Sequence, residues 1–370
     1  MGVMTNALVE EAERIGHSLV EIADRGEPGQ INRDLAKGIA ERGLFDRLFS
    51  DDGVTATDLC AIRQGLARVC VEAETAFAVQ GLGAIPIHLN GSTELKERLM
   101  PGIRRGDLVA GFALTEPGAG SDAASLSTVA EVDGDGFRLT GEKAYISNAP
   151  GADVYTLFAR TTPDAGSRGV TAFVVTSDLD GFSGEAIEMI STHPLGRIHL
   201  DAVHVSKANV LGEVDRGFRV AMETLDLFRP SVGAFAVGMA EAALRVATAH
   251  ATTRTAFGTP IADFQGVSHQ LADVRLGVEA ATLLVYSAAA AYDSGDTETL
   301  TGKAAMAKLY ATETAQRAVD TAIQVLGARG LEADSTLAHL YKEVRAPRIY
   351  EGTSEIQRNI IARELFNGRI

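Results

Sequence analysis

The spacing of apolar residues divides the chain into a helical beginning, a β-rich middle and a helical end. In the first part, apolar side chains recur every three or four positions, as on one face of an α-helix. Pro101-Gly102 is a helix-ending signal. The pattern therefore predicts an N-terminal helical domain over residues 1–109. Its clearest evidence is the series Leu8, Ala12, Ile15, Leu19 and Ile22, with similar series over 35–48 and 59–69.

The middle of the chain consists of short apolar segments separated by glycine-containing turns. Segments 154–159 and 170–175 are rich in β-branched and aromatic residues, which favour strands. The sequence Asp-Gly-Asp-Gly at 133–136 is typical of a tight hairpin turn. Residues 110–211 are therefore predicted to form a small antiparallel sheet or barrel.

The helical period returns after about residue 212. Long amphipathic helices with short connections predict an antiparallel bundle over 212–370. The whole chain is thus predicted to be mainly α with a central β domain. The apolar stripes of the bundle are Val232, Phe235, Met239, Ala243 and Val246; Val267, Leu271, Val274, Val278 and Ala281; and Met306, Leu309, Val319, Ile323 and Leu326.

The segment with the clearest candidate chemistry is Ile-Tyr-Glu-Gly-Thr-Ser-Glu-Ile-Gln at 349–357. Ser354 and Gln357 fit a capping box, so a helix is predicted to begin just after Gly352. Glu351 then lies in a short loop, where Tyr350 would shield its carboxylate from water. Such desolvation raises the pKa of a glutamate and makes it a better proton acceptor. On these residues alone, an ordinary exposed loop glutamate is the more frequent situation.

Composition and charge narrow the possible functions. A chain of 370 residues can form two or three domains. The net charge of −15 argues against binding to nucleic acid or to an anionic membrane surface. We find no apolar run long enough to span a bilayer. The charged residues before Arg14 are acidic, which fits neither a signal nor a transit peptide. A cytoplasmic enzyme is expected.

Cysteine and histidine residues suggest no metal site. Cys60 and Cys70 match no metal or redox spacing and are expected to be buried small apolar residues. The eight histidines show no metal-binding pattern. The chain also contains no nucleophile elbow for a Ser-His-Asp hydrolase, and no glycine-rich dinucleotide fingerprint.

A second segment, Leu-Thr-Glu-Pro-Gly-Ala-Gly-Ser-Asp at 114–122, together with 349–357, resembles the acyl-CoA dehydrogenase family of flavoproteins. Further similar segments are 144–148, 254–258 with 264–265, and 324–327. They follow one another in the order of the family from about residue 106 to 370, which is far more specific than any single motif. The resemblance implies an N-terminal helical domain, a small antiparallel β-barrel and a C-terminal four-helix bundle.

The resemblance also implies an activity, namely FAD-dependent α,β-dehydrogenation of an acyl-CoA thioester in fatty acid metabolism. Glu351 would remove the α-proton, and a hydride would pass from the β-carbon to flavin N5, giving a trans-2-enoyl product. The N–H of Glu351 would help to stabilise the thioester oxygen. Phe228 occupies the position at which some family members carry the base. The implied partners are an electron-transfer flavoprotein as electron acceptor and identical subunits in a homotetramer, or alternatively a dimer.

The flavin contacts are likewise assigned by resemblance. Arg254 and Gln265 would hold the pyrophosphate and adenosine half of a flavin bound mainly to a neighbouring subunit. Arginine suits this role because its planar fork donates two parallel hydrogen bonds to phosphate. Ala256 and Ala328 replace a frequent hydroxyl residue and a frequent glycine, so weaker FAD binding is expected. The full set is Phe112, Leu114, Thr115, Gly120, Ser121, Tyr145, Ile146, Ser147, Arg254, Phe257, Phe264, Gln265, Gln324, Val325, Gly327, Thr353 and Glu355.

The substrate contacts implied by resemblance leave several alternatives open. Asp226 and Arg229 would orient Glu351 or the thioester arm, but an ion pair on a helix surface explains their spacing equally well. Segments 43–53 and 190–200 look shortened relative to the family, which would alter the acyl pocket and the channel mouth. A dehydrogenase of carrier-protein-tethered acyl groups, a relative with other flavin chemistry and a non-catalytic oligomeric relative are the alternative functions. The predicted substrate residues are Ser121, Asp226, Arg229, Tyr350 and Gly352.

Overall fold

A computed structural model of the chain describes residues 3–50 and 53–370. These residues form two compact units. The helical unit comprises the residues up to Ser18, Thr55–Glu74 and Asp226–Ile370, and the sheet unit comprises Leu19–Val54 and Thr75–Leu225. In the predicted shortened segment 43–53, Asp51 and Asp52 lie outside the described residues.

The order of elements is helices, then strands, then helices, which confirms the predicted fold class. The first helices are α1 (Val3–Ala23), α2 (Arg33–Glu41), α3 (Leu44–Leu48), α4 (Ala56–Ala67), α5 (Val71–Asn90) and α6 (Thr93–Arg104). The strands that follow are β1 (Ala110–Ala113), β2 (Val129–Asp133), β3 (Gly136–Ser147), β4 (Val154–Arg160), β5 (Val170–Thr176), β6 (Phe182–Ile187), β7 (Leu195–Ser206) and β8 (Val210–Leu211). The last elements are α7 (Gly217–Thr253), β9 (Thr255–Ala256), β10 (Thr259–Pro260), α8 (Gln265–Asp293), α9 (Leu300–Leu326), α10 (Thr336–Glu343) and α11 (Ser354–Phe366).

Strands β1–β8 pair in one sheet whose order is β6-β7-β3-β2-β4-β5-β8, with β1 beside β4. Most pairs are antiparallel as predicted, but β1 and β2 each pair with β4 in parallel. The sheet is therefore mixed, because it contains these two parallel pairs among its antiparallel ones. The predicted turn at 133–136 is confirmed, since Asp133 pairs with Gly136 at the end of the β2–β3 hairpin. Leu139, Leu157 and Phe173 lie in the core of this unit.

The apolar stripe predicted for α7 is confirmed, because Val232, Phe235, Met239 and Ala243 are buried. Helix α9 differs from its prediction. Of the predicted stripe, Val319 is buried but Met306 and Leu309 are partly exposed. The buried face consists mostly of alanines and includes one lysine, Lys308. Small side chains let a neighbouring helix approach closely, so burial does not require large apolar residues here. The buried alanines are Ala304, Ala305, Ala307, Ala311, Ala315, Ala318 and Ala322.

The predicted helix end at Pro101-Gly102 is wrong, because α6 continues to Arg104. Proline removes one backbone hydrogen bond from a helix. Leu99, Met100 and Ile103 are all buried on this helix, and their packing outweighs that loss.

Helices α7 and α8 are long and apolar enough to cross a membrane by length and composition, which corrects the expectation drawn from the sequence. Most of the apolar window of α7, and less than half of that of α8, is buried inside the protein. A core helix passes the same test, so burial accounts for the composition of α7.

Candidate active site

The loop that carries Glu351 connects α10 to α11, as predicted. Glu351 has a φ of +52° and Gly352 a φ of +92°. The left-handed region is uncommon for a residue with a side chain, and such residues persist only where their surroundings hold them. The φ of Gly352 is one that residues with a Cβ rarely adopt, so the loop requires glycine there. A Cβ would also lie 2.5 Å from the Gln357 amide nitrogen and displace it.

The predicted capping box at the start of α11 is wrong. Thr353 is the N-cap, and its hydroxyl accepts a hydrogen bond from the Ile356 N–H at 3.3 Å. The Ser354 hydroxyl donates instead to Glu313 at 2.7 Å. Gln357 donates to the carbonyl of Gly352 at 3.0 Å. Ser354 is therefore used in a tertiary contact, and Gln357 in a local contact with the loop itself.

The Glu351 carboxylate is placed to accept a proton. Its Oε2 atom is buried and has no hydrogen-bond partner among the described residues. Burial raises the pKa of Glu351, more than the positive charges of Arg63, Arg229 and Lys308 lower it. A buried carboxylate with an unused oxygen and a raised pKa is a suitable general base.

The backbone N–H of Glu351 is also free. Within residues 3–50 and 53–370 it donates to no backbone or side-chain acceptor. A loop N–H without an internal partner can donate to a ligand oxygen. The same residue therefore offers a proton acceptor and a hydrogen-bond donor.

Arg63 and Glu74 form a buried ion pair that the sequence did not predict as part of the site. Arg63 also donates to the Ser231 hydroxyl at 2.7 Å. The charges of both residues act on Tyr350, a residue that is 37% exposed. Arg63 and Glu74 lie far from Glu351 along the chain and belong to none of the motifs. The only available signal was a charged residue within the apolar pattern of 59–69.

Asp226 and Arg229 form the ion pair at i, i+3 that the alternative interpretation predicted, with Arg229 Nη1 3.2 Å from Asp226 Oδ1. The pair is partly buried, because the Arg229 side chain is 14% exposed and that of Asp226 is 31% exposed. The Arg229 Nε atom is buried without a hydrogen-bond partner among the described residues. The charge of Arg229 lowers the pKa of Glu351, against the larger opposing effect of burial.

Lys308 of α9 is a second residue of this site that sequence reasoning missed. Its side chain is fully buried, and Nζ donates to the carbonyl of Gly352 at 2.6 Å. Burial lowers the pKa of Lys308 to about 8, against the opposing effect of Glu351. Buried lysines are rare unless paired, so its position beside the loop indicates a specific role.

In the sheet unit, the predicted flavin loop is anchored by a buried ion pair between Glu116 and Lys143. Lys143 Nζ lies 2.7 Å from Glu116 Oε1. Glu116 also accepts hydrogen bonds from the N–H groups of Ser127 and Thr128. Burial acts to raise the pKa of Glu116, but Lys143 and these hydrogen bonds outweigh it and lower that pKa to about 2. The loop is thereby held against β3.

The predicted flavin residues of this unit differ in exposure. Tyr145 is 55% exposed and has a φ of +56°, so its ring faces outward from the sheet. A Cβ at Gly120 would meet no atom within 4 Å, which leaves open space for a ligand. Ile146 and Leu114 are buried, so only their backbones are available. Phe112, Thr115 and Ser147 are partly exposed and Ser121 is exposed. An exposed aromatic ring beside an open glycine loop fits a planar cofactor.

The predicted dinucleotide clamps of the helical unit are exposed. Phe257 is 98% exposed, and its ring stands perpendicular to that of Phe264 at 6.1 Å. Burial, together with the charges of Arg329 and Arg254, lowers the pKa of His250, so the two arginines act on one region. Arg329 was not predicted. Arg254, Gln265, Gln324, Gly327 and Glu355 are exposed, and Val325 and Thr353 are partly exposed.

No group of three or more His, Cys, Asp or Glu side chains within residues 3–50 and 53–370 could hold a metal ion. Cys60 and Cys70 are buried and not in a disulfide, as predicted.

Comparison with known protein families gives three matches, which together cover most of the chain. The N-terminal domain of acyl-CoA dehydrogenase matches residues 6–107. The middle domain matches 111–203, and the C-terminal domain matches 215–366. The matches therefore also cover the part of the chain before residue 106, in which the sequence offered no similar segment.

Several curated proteins are similar over most of their length. A probable acyl-CoA dehydrogenase of Mycobacterium leprae is 36% identical over 86% of this chain and 82% of its own. Cyclohexane-1-carbonyl-CoA dehydrogenase of Geobacter metallireducens is 36% identical, over 91% and 90%. Subunit CarC of the caffeyl-CoA reductase–Etf complex of Acetobacterium woodii is 34% identical, over 97% and 93%.

Solved structures share the whole fold. Butyryl-CoA dehydrogenase from Megasphaera elsdenii has a TM-score of 0.91 at 30% identity, covering 99% of both chains. PigA with FAD and proline has a TM-score of 0.92 at 26% identity, over 99% and 98%. The prolyl acyl carrier protein oxidase AnaB has a TM-score of 0.91 at 28% identity, over 99% of both. The chain therefore belongs to the acyl-CoA dehydrogenase family and is an FAD-dependent dehydrogenase.

Proposed function

We propose that the chain catalyses α,β-dehydrogenation of an acyl-CoA thioester, with Glu351 as the base that removes the α-proton. The observation that carries this proposal is the buried, unpartnered Oε2 atom of Glu351 in a loop of left-handed backbone. A carboxylate of this kind lacks the hydrogen bonds that would otherwise stabilise its charge. It therefore gains by accepting a proton.

The residues around Glu351 suit the charge that develops when a thioester loses its α-proton. The free N–H of Glu351 can donate to the thioester oxygen, where negative charge accumulates. Arg63, Arg229 and Lys308 keep the surroundings of the carboxylate positive. When bound, FAD supplies the acceptor for the hydride that leaves the β-carbon, giving a trans-2-enoyl thioester.

The residues predicted to hold FAD have the required chemistry. In the sheet unit, Thr115, Gly120, Tyr145 and Ser147 offer polar groups, open backbone and an exposed ring for the isoalloxazine. In the helical unit, Arg254 and Gln265 are exposed and would hold the dinucleotide of a flavin bound mainly to a neighbouring subunit. Their exposure in a single chain supports a homo-oligomer, a tetramer or a dimer.

An anaerobic mixing experiment tests the proposed function. Oxidised FAD-loaded protein is mixed with acyl-CoAs of several chain lengths, and the loss of the oxidised flavin absorbance is recorded. Bleaching by at least one acyl-CoA is expected. If no CoA ester bleaches the flavin but an acyl group on a carrier protein does, the substrate is the carrier-protein thioester and not the CoA thioester. That second candidate is supported by the similarity to AnaB, a prolyl acyl carrier protein oxidase.

We also propose an electron-transfer flavoprotein as the acceptor of electrons from the reduced flavin. The similarity to CarC, a subunit of a caffeyl-CoA reductase–Etf complex, supports this partner. Reoxidation of the bleached protein should be faster with an electron-transfer flavoprotein than with dioxygen. Equal rates would argue against it.

Arg254→Ala is expected to weaken FAD binding by about 10–100-fold, because a hydrogen bond to a charged phosphate is worth about 1.5–3 kcal/mol. The measurement is the dissociation constant of FAD after removal and readdition of the cofactor. Arg275→Ala is the matched control, since Arg275 lies on α8 in an exposed pair with Glu279. Equal FAD affinity in both variants would remove Arg254 from the cofactor site.

The rate of flavin bleaching is expected to rise with pH as Glu351 loses its proton. Because burial raises the pKa of Glu351, the midpoint should lie above the ordinary glutamate value of about 4.3. The base is inactive when protonated, so the rate falls as the pH drops through that midpoint. Stopped-flow bleaching at thioester concentrations well below saturation across pH 4 to 9 measures it, because the rate then reports ionisation of the free protein. A midpoint at or below the ordinary value would contradict this assignment.

A further inference from the structure

The side chain of Lys308 reaches from the buried face of α9 to the loop that carries Glu351. Its Nζ atom donates to the Gly352 carbonyl at 2.6 Å, and the Gln357 amide donates to the same oxygen at 3.0 Å. Loop carbonyls usually face water at the protein surface. Here one carbonyl is held by two side chains that belong to different helices.

A second contact fastens the other side of the loop to the same helix. Glu313 of α9 accepts a hydrogen bond from the Ser354 hydroxyl at 2.7 Å and pairs with Arg348 at 2.9 Å. Lys308 therefore contacts the residue just after Glu351, and Glu313 contacts one residue before Glu351 and one after it. The loop is attached to α9 by one cation and one anion.

The backbone of Glu351 needs such support. Its φ of +52° is a sparsely populated conformation for a residue with a Cβ, and it persists only where other contacts impose it. The Gly352 carbonyl belongs to the peptide between residues 352 and 353, and the Gln357 amide also donates to the Glu351 carbonyl at 3.3 Å. Holding the carbonyls on both sides of Gly352 restricts rotation at that residue and so limits the backbone conformations open to Glu351.

Lys308 donates its hydrogen bond to a carbonyl, although several charged side chains face the Lys308 ammonium group. These groups are Glu351 and Glu355 from the loop and α11, Arg229 from α7, and Glu313 on its own helix. In the described part of the chain, Nζ donates to none of these carboxylates. The geometry therefore favours a role in holding the backbone over a role as an ion-pair partner.

We infer that Lys308 is a positioning residue that holds the Gly352 carbonyl and thereby keeps Glu351 in its reactive backbone conformation. This inference rests on the proposed role of Glu351 as the base. It concerns catalysis more than binding, because a small displacement of a base lowers the rate of proton transfer far more than it lowers the affinity for substrate.

Lys308→Met is expected to slow flavin bleaching at saturating thioester by about 10²-fold, the loss typical of a displacement of about 1 Å. FAD retention and the thioester concentration for half-maximal rate should change by less than about twofold. Lys303→Met is the matched control, because Lys303 lies on the same helix, is partly exposed and pairs with Asp296. The control should bleach at the wild-type rate.

Hydrogen–deuterium exchange of the peptide spanning 349–353 gives a readout that does not depend on activity. Exchange should be faster in Lys308→Met than in the wild type or in Lys303→Met. If the wild type does not bleach, the proposed function is contradicted. The exchange measurement then tests the role of Lys308 in holding the loop independently of activity. Wild-type bleaching in Lys308→Met, or unchanged exchange, would overturn it. Should Lys308→Met not fold, Gln357→Met removes the other donor to the same carbonyl, and full activity in that variant would also overturn it.

Discussion

Glu351→Gln is expected to retain FAD and to lose flavin bleaching by roughly 10²–10⁴-fold, the range of general-base contributions. Glutamine has almost the same shape but cannot accept the α-proton. The measurement is anaerobic stopped-flow bleaching with the thioester that reduces the wild type fastest. Glu279→Gln is the matched control, because Glu279 is exposed on α8 beside Arg275. Bleaching at the wild-type rate in Glu351→Gln would remove the residue from the reaction.

The same variant should also be more stable at neutral pH. The pKa of Glu351 is raised in the folded state by burial, so ionising this group is less favourable in the folded chain than in the unfolded chain. The resulting loss of stability develops as the pH rises above the unfolded pKa and is absent below it. Glu351→Gln should therefore have a higher Tm than the wild type at pH 7, and the difference should shrink toward pH 4. An active-site residue that lowers stability is common in enzymes.

Lys143→Met is expected to lower the free energy of unfolding by about 3–5 kcal/mol, because it leaves the buried Glu116 carboxylate without its cation. The measurement is the unfolding transition of the sheet unit in denaturant. Arg138→Met is the matched control on the same strand, since its pair with Asp133 is exposed to water and contributes little to stability. Equal losses in both variants would contradict the structural role of the buried pair.

The pH dependence of stability should also change in Lys143→Met. In the wild type the pKa of Glu116 is lowered to about 2, so this carboxylate stabilises the fold above its unfolded pKa. That contribution is lost as the pH falls toward 2. Without Lys143, the pKa of Glu116 should be higher than in the wild type, because one of the groups that lower it is gone. The variant should then become more stable, relative to the wild type, as the pH is lowered from 7 to 4.

Local sequence was sufficient for the order of elements, the loop around Glu351 and the segments that resemble the family. Each of these depends on residues close together in the chain, such as the Asp-Gly turn at 133–136 and the Gly352 bend. The cap of α11 was placed one residue too late because Thr353 and Ser354 both carry a suitable hydroxyl. Only the contact between Ser354 and Glu313 distinguishes them.

The parts that could not be predicted depend on contacts between residues distant in sequence. The parallel pairing of β1 with β4 is invisible in the pattern of either strand. The buried face of α9 was missed because alanine contributes little to an apolar pattern, and Lys308 lies among those alanines. The sequence pattern does not distinguish Arg63 and Glu74 from exposed charged residues on α4 and α5. Their place beside Tyr350 follows from packing alone.

The most direct test of the central claim separates removal of the α-proton from transfer of the hydride. An acyl-CoA with a fully substituted β-carbon has no hydride to give, so only the first step can occur. In D₂O the FAD-loaded wild type is predicted to introduce deuterium at the α-carbon, as observed by NMR, whereas Glu351→Gln is predicted not to. Deuterium incorporation by Glu351→Gln at the wild-type rate would contradict the assignment of this carboxylate as the base.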